Sequence, residues 1–599
     1  MLHLNITERV NGPYCYANDC KWVPGDNRTK NISKCVGRLL DDGQFKPNKY
    51  LIGLIQSYST DANKMDEFER LIVNTVLAKY GDEIMSSALD TLQDSRLGEV
   101  CSTARTILYG PKLVLAHIGA EYHLKSMLTK AFGTDIAADI LSLVWFVVLE
   151  GNALSNNEAF LNYYESPSGG GISSQDVTRL LDEMKEDGIM SFYKQWLKFI
   201  VGKPTKNGAS EKVLYDLTSI SFTGRKNSSA EYGYNRDKES LPQVNYAMLC
   251  LRGSGMPVFA WPMNGSISDV TTLVTTLQYL EKLEYRPECL MMDRAFGSRD
   301  NITFMFRHRH VFFQSLKVAS NWVYRLIDFG EKERLMPTSQ LRINEQTYYG
   351  SSTKCLWVLT KNTKKKDARE AVAVVPCSGK RGEKYVPDNS DIEVVAQYLC
   401  TVHVAFCQDL VGSQHDSFMS ALKEEYNRLV SDKTAEVKKE YEKYIVVRKE
   451  KYARNMEVSF NMEAIETRRN KYTGYICYLT NDSSIDTVET ALREYATRDV
   501  IEKNFDDMKN TLDMRRLHVH TEKRMRSRLF IQLIAEIFRC HIRQRLSAST
   551  SCKKMTQSQF ANHLKTMTKT KFAGKYRDVF NPLSKTQREL LEALGIVSE

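Results

Sequence analysis

The run Val213-Leu214-Tyr215-Asp216-Leu217 decides the fold, because it begins a predicted β-strand over residues 212–222. The segments after it alternate between apolar runs bounded by turn residues and stretches with helical periodicity. The predicted order is strand, strand, strand, helix, strand, helix and strand, over residues 212–222, 244–252, 256–262, 269–285, 288–293, 300–307 and 311–315. This order is typical of one mixed sheet with helices packed on it. We therefore predict an α/β fold.

Three acids occupy unusual positions in this pattern. Asp216 interrupts the first apolar strand, and Asp293 ends the apolar run Cys289-Leu290-Met291-Met292. Glu502 lies far along the chain, in a segment with helical periodicity. A carboxylate inside a strand costs several kcal/mol unless its charge is compensated, and a divalent cation is the usual compensation. If the three acids converge, they can hold two Mg²⁺ ions, and the pattern then predicts an enzyme that cuts nucleic acid.

The segment that carries Glu502 is predicted to be one helix from Tyr495 to Lys509. At about 100° per residue from Tyr495, the side chains of Arg498, Glu502 and Lys509 fall near roughly 300°, 340° and 320°. These four polar residues therefore share one narrow stripe. Arginine can donate two parallel hydrogen bonds to phosphate oxygens, and lysine contributes a single positive charge. The stripe therefore suggests that Glu502 is a metal ligand with phosphate-binding residues on either side.

Each of these residues also has an ordinary interpretation. Arg498 and Glu502 can form a surface ion pair one helical turn apart, worth a few tenths of a kcal/mol. Asp216 can lie exposed at a sheet edge or be hydrogen-bonded, and Asp293 can cap a helix that starts at Arg294. Joint occurrence favours the functional interpretation, because two acids lie on strands of one sheet and the third lies on a helix that returns after an insertion.

These residues carry a resemblance to a known family. The spacing Tyr-x₂-Arg-x₃-Glu-x₆-Lys, formed here by Tyr495, Arg498, Glu502 and Lys509, resembles the signature of a subgroup of DDE transposases of bacterial insertion sequences. Further similar segments are Tyr232-Gly-Tyr-Asn-Arg-Asp-Lys238, Leu241-Pro-Gln-Val244, Asn264-Gly-Ser-Ile-Ser-Asp269, Met292-Asp293-Arg-Ala-Phe-Gly-Ser298 and Glu589-Leu-Leu-Glu-Ala-Leu-Gly-Ile596. The resemblance spans nearly the whole chain and implies an RNase H-like catalytic core.

The resemblance implies an activity and a set of roles. Asp216, Asp293 and Glu502 are expected to be the catalytic triad and the ligands of two Mg²⁺ ions, for which Mn²⁺ can substitute. The expected reaction is cut-and-paste transposition, in which the enzyme binds the terminal inverted repeats of its element, cleaves there and joins the 3′ ends to target DNA. The expected DNA contacts are Tyr495, Arg498, Lys509, Arg294, Arg515 and Arg516. Pairing of two DNA ends makes a homodimer on DNA the expected assembly.

An aromatic side chain of the insertion can receive a flipped base in related enzymes. Trp322 and Trp357 are the candidates here, although a role in the core is favoured for both because tryptophan is so often buried.

The chain is divided into six predicted segments. They are a β-hairpin region at 1–60 around the turn Pro24-Gly25-Asp26-Asn27, a helical DNA-binding region at 61–205 closed by the break Gly202–Gly208, the first part of the core at 206–317, an insertion domain at 318–485, the second part of the core at 486–546, and a C-terminal helical region at 547–599 for DNA contact or dimerisation. Within the insertion, the charged stretch from Ser420 to Asn455 is predicted to be a solvated helix.

The bulk composition agrees with a folded DNA-binding protein. The 599 residues exceed what one hydrophobic core usually supports, and the formal net charge is +10. Met514–Arg528 has six Lys or Arg against one acid, and Lys553–Arg577 has seven and none. The thirteen cysteines form no Cys-x-x-Cys pair, which indicates reduced thiols. The longest apolar run, Ile140–Leu149, is half a membrane span, so we expect a buried helix and a cytoplasmic, nucleoid-associated protein without a membrane partner.

Two rival functions are compatible with parts of this pattern. A catalytically inactive or repurposed transposase would bind DNA without cutting it, but that role does not need all three acids. A stand-alone nuclease for RNA–DNA hybrids would use the same fold, but the long helical block and the large insertion exceed so simple a task.

Overall fold

The computed structural model describes the chain except for residues 1, 11, 24–27, 41–42, 62–63, 93–101, 152, 203–211, 225–226, 234, 238, 365–368, 381, 433, 450–455, 573–576 and 597–599. The predicted turn Pro24–Asn27 and residues 203–208 of the predicted break lie outside the described residues. So do Tyr234 and Lys238 of the motif that starts at Tyr232. The chain forms two compact units, one of residues 1–107 and 568–582 and the other of residues 108–567 and 583–599.

The strands and helices are numbered here in chain order. The strands are β1 His3–Arg9, β2 Gly12–Val23, β3 Arg28–Leu39, β4 Phe45–Pro47, β5 Arg105–Leu108, β6 Val213–Phe222, β7 Gln243–Leu251, β8 Pro257–Asn264, β9 Leu290–Met292, β10 Phe312–Leu316, β11 Gln340–Ile343, β12 Gln346–Asn362, β13 Ala371–Pro376, β14 Ile392–Phe406, β15 Ile445–Lys449, β16 Met456–Phe460, β17 Tyr475–Thr480, β18 Arg516–Leu517, β19 Thr568–Lys571 and β20 Val579–Phe580.

The α-helices follow the same numbering. They are α1 Lys49–Asp61, α2 Glu67–Leu92, α3 Gly110–Glu121, α4 Leu124–Phe132, α5 Thr134–Glu150, α6 Asn157–Leu161, α7 Ser174–Glu183, α8 Glu186–Val201, α9 Asp269–Lys282, α10 Arg299–Arg307, α11 Asn321–Asp328, α12 Glu331–Arg334, α13 Asp409–Ser431, α14 Met462–Tyr472, α15 Val488–Ala496, α16 Asp499–Asp506, α17 Glu522–Ala548, α18 Gln557–Lys565 and α19 Lys585–Ala593. A π-helix, Asp507–Thr511, follows α16 directly.

The first unit contains an antiparallel sheet in the order β1-β2-β3-β4. β2 and β3 contain the two strands that the sequence predicts for a hairpin, and β1 and β4 add one strand on each side. Cys15, Ala17 and Phe45 are buried on one face of this sheet and share a core with Leu51 of α1 and Ile72 of α2. The helices therefore cover one sheet face, as an amphipathic sheet requires.

The second unit is built on one mixed sheet, to which eleven strands of the described residues belong. The order along its main path is β11-β12-β14-β17-β10-β9-β6-β7-β8, with β13 paired to β12 and β18 to β6. β6, β7 and β8 are antiparallel neighbours, whereas β9 runs parallel to β6 and β10 parallel to β9. The seven elements predicted between residues 212 and 315 are all present with small shifts at their ends, which confirms the mixed sheet flanked by helices.

Helix α17 forms the centre of the helical packing in the second unit. Every residue from Ser527 to Ile542 is buried, because α17 lies between β8 and the helices α5, α7 and α3. Phe530 contacts Phe192 and Tyr193 of α8 at ring-centroid distances of 5.1 and 6.0 Å. The apolar run Ile140–Leu149 is the buried part of α5, as predicted. Among the described residues, no helix is both long and apolar enough to cross a bilayer.

The segment between β10 and β17 continues the central sheet. β12 and β14 pair along most of their length, and β14 then pairs with β17, which returns to the edge of β10. α13 ends at Ser431, so the predicted charged helix from Ser420 to Asn455 is wrong for the described residues from 432 to 449, while residues 433 and 450–455 lie outside the described part of the chain. The residues Ile445-Val446-Val447 form β15 instead, because β-branched side chains favour a strand and Ile445 is buried against α13.

Buried charged side chains of α17 hold α16 and the π-helix. Arg539 Nη2 donates to Asp507 Oδ1 at 3.2 Å, and Arg543 Nη1 donates to the other Asp507 oxygen. Arg543 Nη2 also donates to Asn504 Oδ1 at 2.5 Å. Glu536 is fully buried, and neither of its carboxylate oxygens has a hydrogen-bond partner within the described part of the chain. Burial raises the pKa of Glu536 well above its ordinary value, although Arg543, whose Nη1 lies 3.9 Å from Glu536 Oε1, acts in the opposite direction.

Replacing Asp507 by Asn should destabilise the second unit, because Arg539 and Arg543 would lose their buried anion. The expected loss is about 3 kcal/mol of unfolding free energy, measured by urea denaturation. Asp499→Asn is the matched control on the same helix, since Asp499 pairs with Lys503 and both side chains are more than half exposed. That change should cost less than about 1 kcal/mol, and equal effects of the two changes would contradict a buried anchoring role for Asp507.

Replacing Glu536 by Gln should change how stability depends on pH. Because the folded pKa of Glu536 lies above the ordinary 4.5, its favourable contribution is complete below that pH and is lost as the pH rises through the folded pKa. The glutamine of Glu536→Gln cannot ionise. The unfolding free energy of this variant, relative to that of the unsubstituted protein, should therefore increase with rising pH by up to about 1.4 kcal/mol per pH unit. Unfolding free energies at about pH 5 and about pH 8 measure this slope. The exposed Glu489→Gln is the control, and parallel pH curves for Glu536→Gln and the unsubstituted protein would refute the assignment.

Candidate active site

The register of two parallel strands places Asp216 beside Asp293. β6 and β9 pair in parallel, with Tyr215 opposite Met292. The residue that follows each of these two in the chain is an acid, Asp216 after Tyr215 and Asp293 after Met292. Asp216 is the one residue of β6 that is not fully buried, and its Oδ1 accepts a hydrogen bond from the Leu217 amide at 2.8 Å. The two carboxylates therefore emerge together where β9 ends.

Glu502 reaches the same place from α16. Ile501 and Phe505 of this helix are buried in the core, which turns Glu502 outward to the rim of the site. Asn504 Nδ2 donates to the Gly255 carbonyl at 2.7 Å. Gly255 has a φ of +69°, and a Cβ there would lie 2.3 Å from Val500 Cγ1, so only glycine allows this close packing of helix and turn.

The guanidinium of Arg498 joins the three acids. Its Nη2 lies 2.5 Å from Asp216 Oδ2 and 3.4 Å from Asp293 Oδ2, and its Nη1 lies 2.9 Å from Glu502 Oε1. Arg498 Nε is buried and has no hydrogen-bond partner among the described residues. The predicted surface pair between Arg498 and Glu502 does form, but the same guanidinium also neutralises the two strand acids, so the pair is part of a larger cluster.

Burial and charge act against each other on these groups. Burial raises the pKa of Asp216, and Arg498 acts in the opposite direction without cancelling it. Burial alone would lower the pKa of Arg498, but Asp216 and Asp293 raise it by more, so the guanidinium stays charged. Tyr495 donates to Asp293 Oδ1 at 2.7 Å, and burial together with the Asp293 charge raises the pKa of this phenol to about 12. The phenol is therefore a neutral donor at physiological pH.

The prediction of one α-helix from Tyr495 to Lys509 is wrong. α15 ends at Ala496, and the Arg498 amide bonds the Tyr495 carbonyl three residues back, which is a tightened turn. α16 then runs to Asp506, and the widened π-helix carries Lys509. The tight turn lets Tyr495 and Arg498 both face the acids, while Asp507 on the inner side of the π-helix is fixed by α17.

The predicted phosphate contacts do not all gather at the three acids. Lys509 Nζ pairs with Asp237 Oδ2 at 2.6 Å, and burial lowers the pKa of this lysine although Asp237 opposes the shift. Arg516 Nη2 pairs with Glu239 Oε1 at 2.8 Å. Arg515 Nε donates to the side-chain oxygen of Asn510 at 2.9 Å. Arg294 is exposed just after Asp293.

Sequence reasoning missed several residues beside the acids. Arg236 lies close enough to lower the pKa of Asp216, and its backbone amide donates to Ser219 Oγ at 3.2 Å. Gln314 of β10 donates to the backbone carbonyl of Asp293 at 2.6 Å. Asp237, the partner of Lys509, lies in the motif that starts at Tyr232, but no spacing rule links it to a lysine 272 residues away.

The two candidate tryptophans have different environments. Trp357 is fully buried in β12, and its Nε1 donates to Thr303 Oγ1 at 3.2 Å, which is the core role that the sequence favours. Trp322 is partly buried and packs edge-on against Trp357 at 6.0 Å.

The three carboxylates suit a divalent cation in their chemistry, but in this structure they bind the guanidinium of Arg498. Within the described ranges, no group of three His, Cys, Asp or Glu side chains is arranged to hold a metal ion. Asp216, Asp293 and Glu502 instead converge on the nitrogens of Arg498. Carboxylate oxygens are the ligands that Mg²⁺ and Mn²⁺ prefer. The three acids therefore fit hard divalent ions in chemistry, provided that Arg498 withdraws.

Three comparisons place the chain among known proteins. The solved structures that resemble the chain include a cryo-EM structure of a piggyBac transposase synaptic complex with hairpin DNA, at 12% identity over 76% of each chain and a TM-score of 0.32. The comparison with curated proteins gives no match. The family model of the transposase DDE domain matches residues 208–537, which is more than half of the chain and includes all three acids. The chain therefore belongs to the family of DDE-domain transposases.

Proposed function

We propose that this protein is a DNA transposase that cleaves the ends of its own element and transfers them to target DNA. The single observation that carries the proposal is the register of β6 and β9, which sets Asp216 beside Asp293 and within reach of the cation that also holds Glu502. Family membership supports the same reaction class.

We propose that the catalytic core is RNase H-like and belongs to the insertion-sequence subgroup with the Tyr-Arg-Glu-Lys signature. The order β8-β7-β6-β9-β10, with three antiparallel strands followed by two parallel ones, supports this core. The segment at 318–485 is then an insertion between the fifth strand and α15. The strands of this insertion extend the same sheet, which supports a role in bracing the acids.

The three acids are the proposed ligands of two divalent ions. The carboxylate oxygens of Asp216, Asp293 and Glu502 would hold the ions. When bound, such ions activate a water or a DNA 3′-hydroxyl and stabilise the leaving oxygen. Tyr495 keeps Asp293 oriented through its 2.7 Å hydrogen bond, and Gln314 holds the backbone at the same residue. These bonds fix the ligand before substrate arrives, as preorganisation requires.

The basic residues around the acids are the proposed phosphate contacts. Arg498 contacts all three acids, Lys509 is largely buried against Asp237, and Arg294, Arg515 and Arg516 lie on exposed positions. A guanidinium can bind two phosphate oxygens at once, which would orient the scissile strand, whereas Lys509 would act as a point charge. Arg236 joins this set because it lies close to Asp216.

Recognition of the element's ends is proposed for the helical region at 61–205, and a homodimer is the proposed assembly on DNA. The basic stretches Met514–Arg528 and Lys553–Arg577 support additional contacts to the phosphate backbone. Because phosphate contacts release counterions, affinity for DNA should fall steeply with salt.

Removing any one acid should abolish DNA cleavage without preventing DNA binding. Asp216→Asn, Asp293→Asn and Glu502→Gln should each lower the rate of Mg²⁺-dependent nicking at least ~100-fold, because a lost ligand removes several kcal/mol of transition-state stabilisation. The substrate is a supercoiled plasmid that carries the DNA flanking the coding region, and nicking is followed by conversion to the open circle.

Asp499→Asn is the matched control for these variants. Asp499 lies one turn before Glu502 on the same helix, and its carboxylate contacts exposed Lys503 rather than the acids. It should nick at the unsubstituted rate. Full activity in Asp216→Asn or Glu502→Gln would end the triad assignment. DNA binding with no nicking by the unsubstituted protein, in either Mg²⁺ or Mn²⁺, would favour a role in binding alone, and preferred cleavage of an RNA–DNA hybrid would favour a hybrid nuclease.

A further inference from the structure

We propose that Arg498 couples divalent-ion binding to DNA binding, by serving as the counterion of the three acids until phosphate and metal arrive together. This inference rests on the proposed function, because it assigns both ligands to the same site. It concerns how the site is regulated, and its central element is one side chain with two alternative sets of partners.

The first step is that Arg498 is the shared cation of the acids. Its two terminal nitrogens contact Asp216, Asp293 and Glu502 at distances between 2.5 and 3.4 Å. Arg236 also lies close enough to lower the pKa of Asp216, whereas Lys509 and Arg516 pair with Asp237 and Glu239. Clustered carboxylates of which two are largely buried favour such a shared cation, because burial and like charge both disfavour their ionised forms.

The second step is that Arg498 cannot keep these contacts and also grip a phosphate with two donors. Both of its terminal nitrogens face carboxylates, and its Nε is buried without a hydrogen-bond partner in the described part of the chain. The side chain is only 16% exposed, and of its five N–H donors the contacts leave just one, on Nη1, for a further acceptor. Two-pronged contact with a DNA phosphate therefore requires the guanidinium to turn away from the acids.

The third step is a consequence for metal affinity. When a phosphate draws Arg498 away, the acids lose their counterion and attract a divalent ion more strongly. Conversely, when ions occupy the acids, they displace the guanidinium and leave it available for phosphate. The two bindings must strengthen each other by the same factor, because coupling free energies are reciprocal. A factor of about 10 is within the usual range of such couplings.

The experiment measures binding rather than catalysis. Mn²⁺ affinity of the full-length protein is measured from the electron paramagnetic resonance signal of free Mn²⁺, with and without a duplex of the DNA flanking the coding region. The duplex carries non-bridging phosphorothioates, which slow cleavage during the titration. DNA affinity is measured by fluorescence anisotropy with and without Mn²⁺ at constant ionic strength. Each ligand should tighten the other about 10-fold, and the two factors should agree.

The Arg498→Ala variant separates this inference from a simple phosphate contact. Without the competing guanidinium, Mn²⁺ should bind the DNA-free variant several-fold more tightly than it binds the unsubstituted protein, and the coupling to DNA should fall to about 1-fold. A residue that only contacted phosphate would leave the Mn²⁺ affinity of DNA-free protein unchanged, and that result would overturn the proposal. Arg498→Lys keeps the positive charge but cannot donate two parallel hydrogen bonds, so it should retain part of the coupling. This variant replaces Arg498→Ala in the experiment if the alanine variant does not fold.

Three controls complete the design. The duplex without protein gives the background of Mn²⁺ bound to DNA alone, and Asp216→Asn, which lacks one proposed ligand, should bind Mn²⁺ more weakly than the unsubstituted protein. Asp237→Asn releases Lys509 from its ion pair but leaves the acids and Arg498 untouched, so its DNA affinity should rise while the coupling factor stays the same. Loss of coupling in Asp237→Asn would contradict the role of Arg498. If the unsubstituted protein nicks DNA but shows no coupling, this inference fails alone; if it binds both ligands cooperatively but never nicks, the proposed function fails instead.

Discussion

Electrostatic repulsion among three carboxylates is the constraint on which this site depends. Parallel pairing of β6 and β9 fixes two of them side by side, and α16 adds the third. Neither strand can relieve the repulsion by moving, because both are buried in the middle of a large sheet. In this structure the cation that offsets the repulsion is the guanidinium of Arg498.

The rest of the second unit holds that arrangement rigid. On one side, the central sheet extends from β8 to β11, so β6 and β9 have neighbours on both edges. On the other side, α17 anchors the end of α16 through Asp507, Arg539 and Arg543. The carboxylate of the buried Glu536 beside them accepts no hydrogen bond from the described residues, and burial raises its pKa well above the ordinary value.

Sequence reasoning reached the elements around the acids because their signals are local. The apolar run with one acid at Asp216 and the acid at the end of a strand at Asp293 follow from period and burial, and the structure has both. The helix from Tyr495 to Lys509 was wrong because a helical wheel assumes a constant turn, whereas a tight turn and a π-helix divide this one. β15 was missed because the charged residues around Ile445 masked a short β-branched run. The ion pairs of Lys509 and Arg516 join residues far apart in the chain, and no local pattern encodes them.

These long-range pairs have a common physical meaning. Most of the basic residues expected to hold phosphate contact oxygen acceptors of the protein itself. Arg498 contacts the three acids, and Lys509 pairs with Asp237. Arg516 pairs with Glu239, and Arg515 donates to the amide oxygen of Asn510. Internal acids thus take the place that phosphate oxygens would occupy, which keeps buried cations such as Lys509 compensated without DNA. Under the proposed function, binding DNA would exchange these ion pairs for ion pairs to phosphate. Such an exchange would contribute less net affinity per contact than forming new pairs. It would favour a partner whose phosphates have the right geometry over one that supplies charge alone, because only the former replaces every pair that is broken.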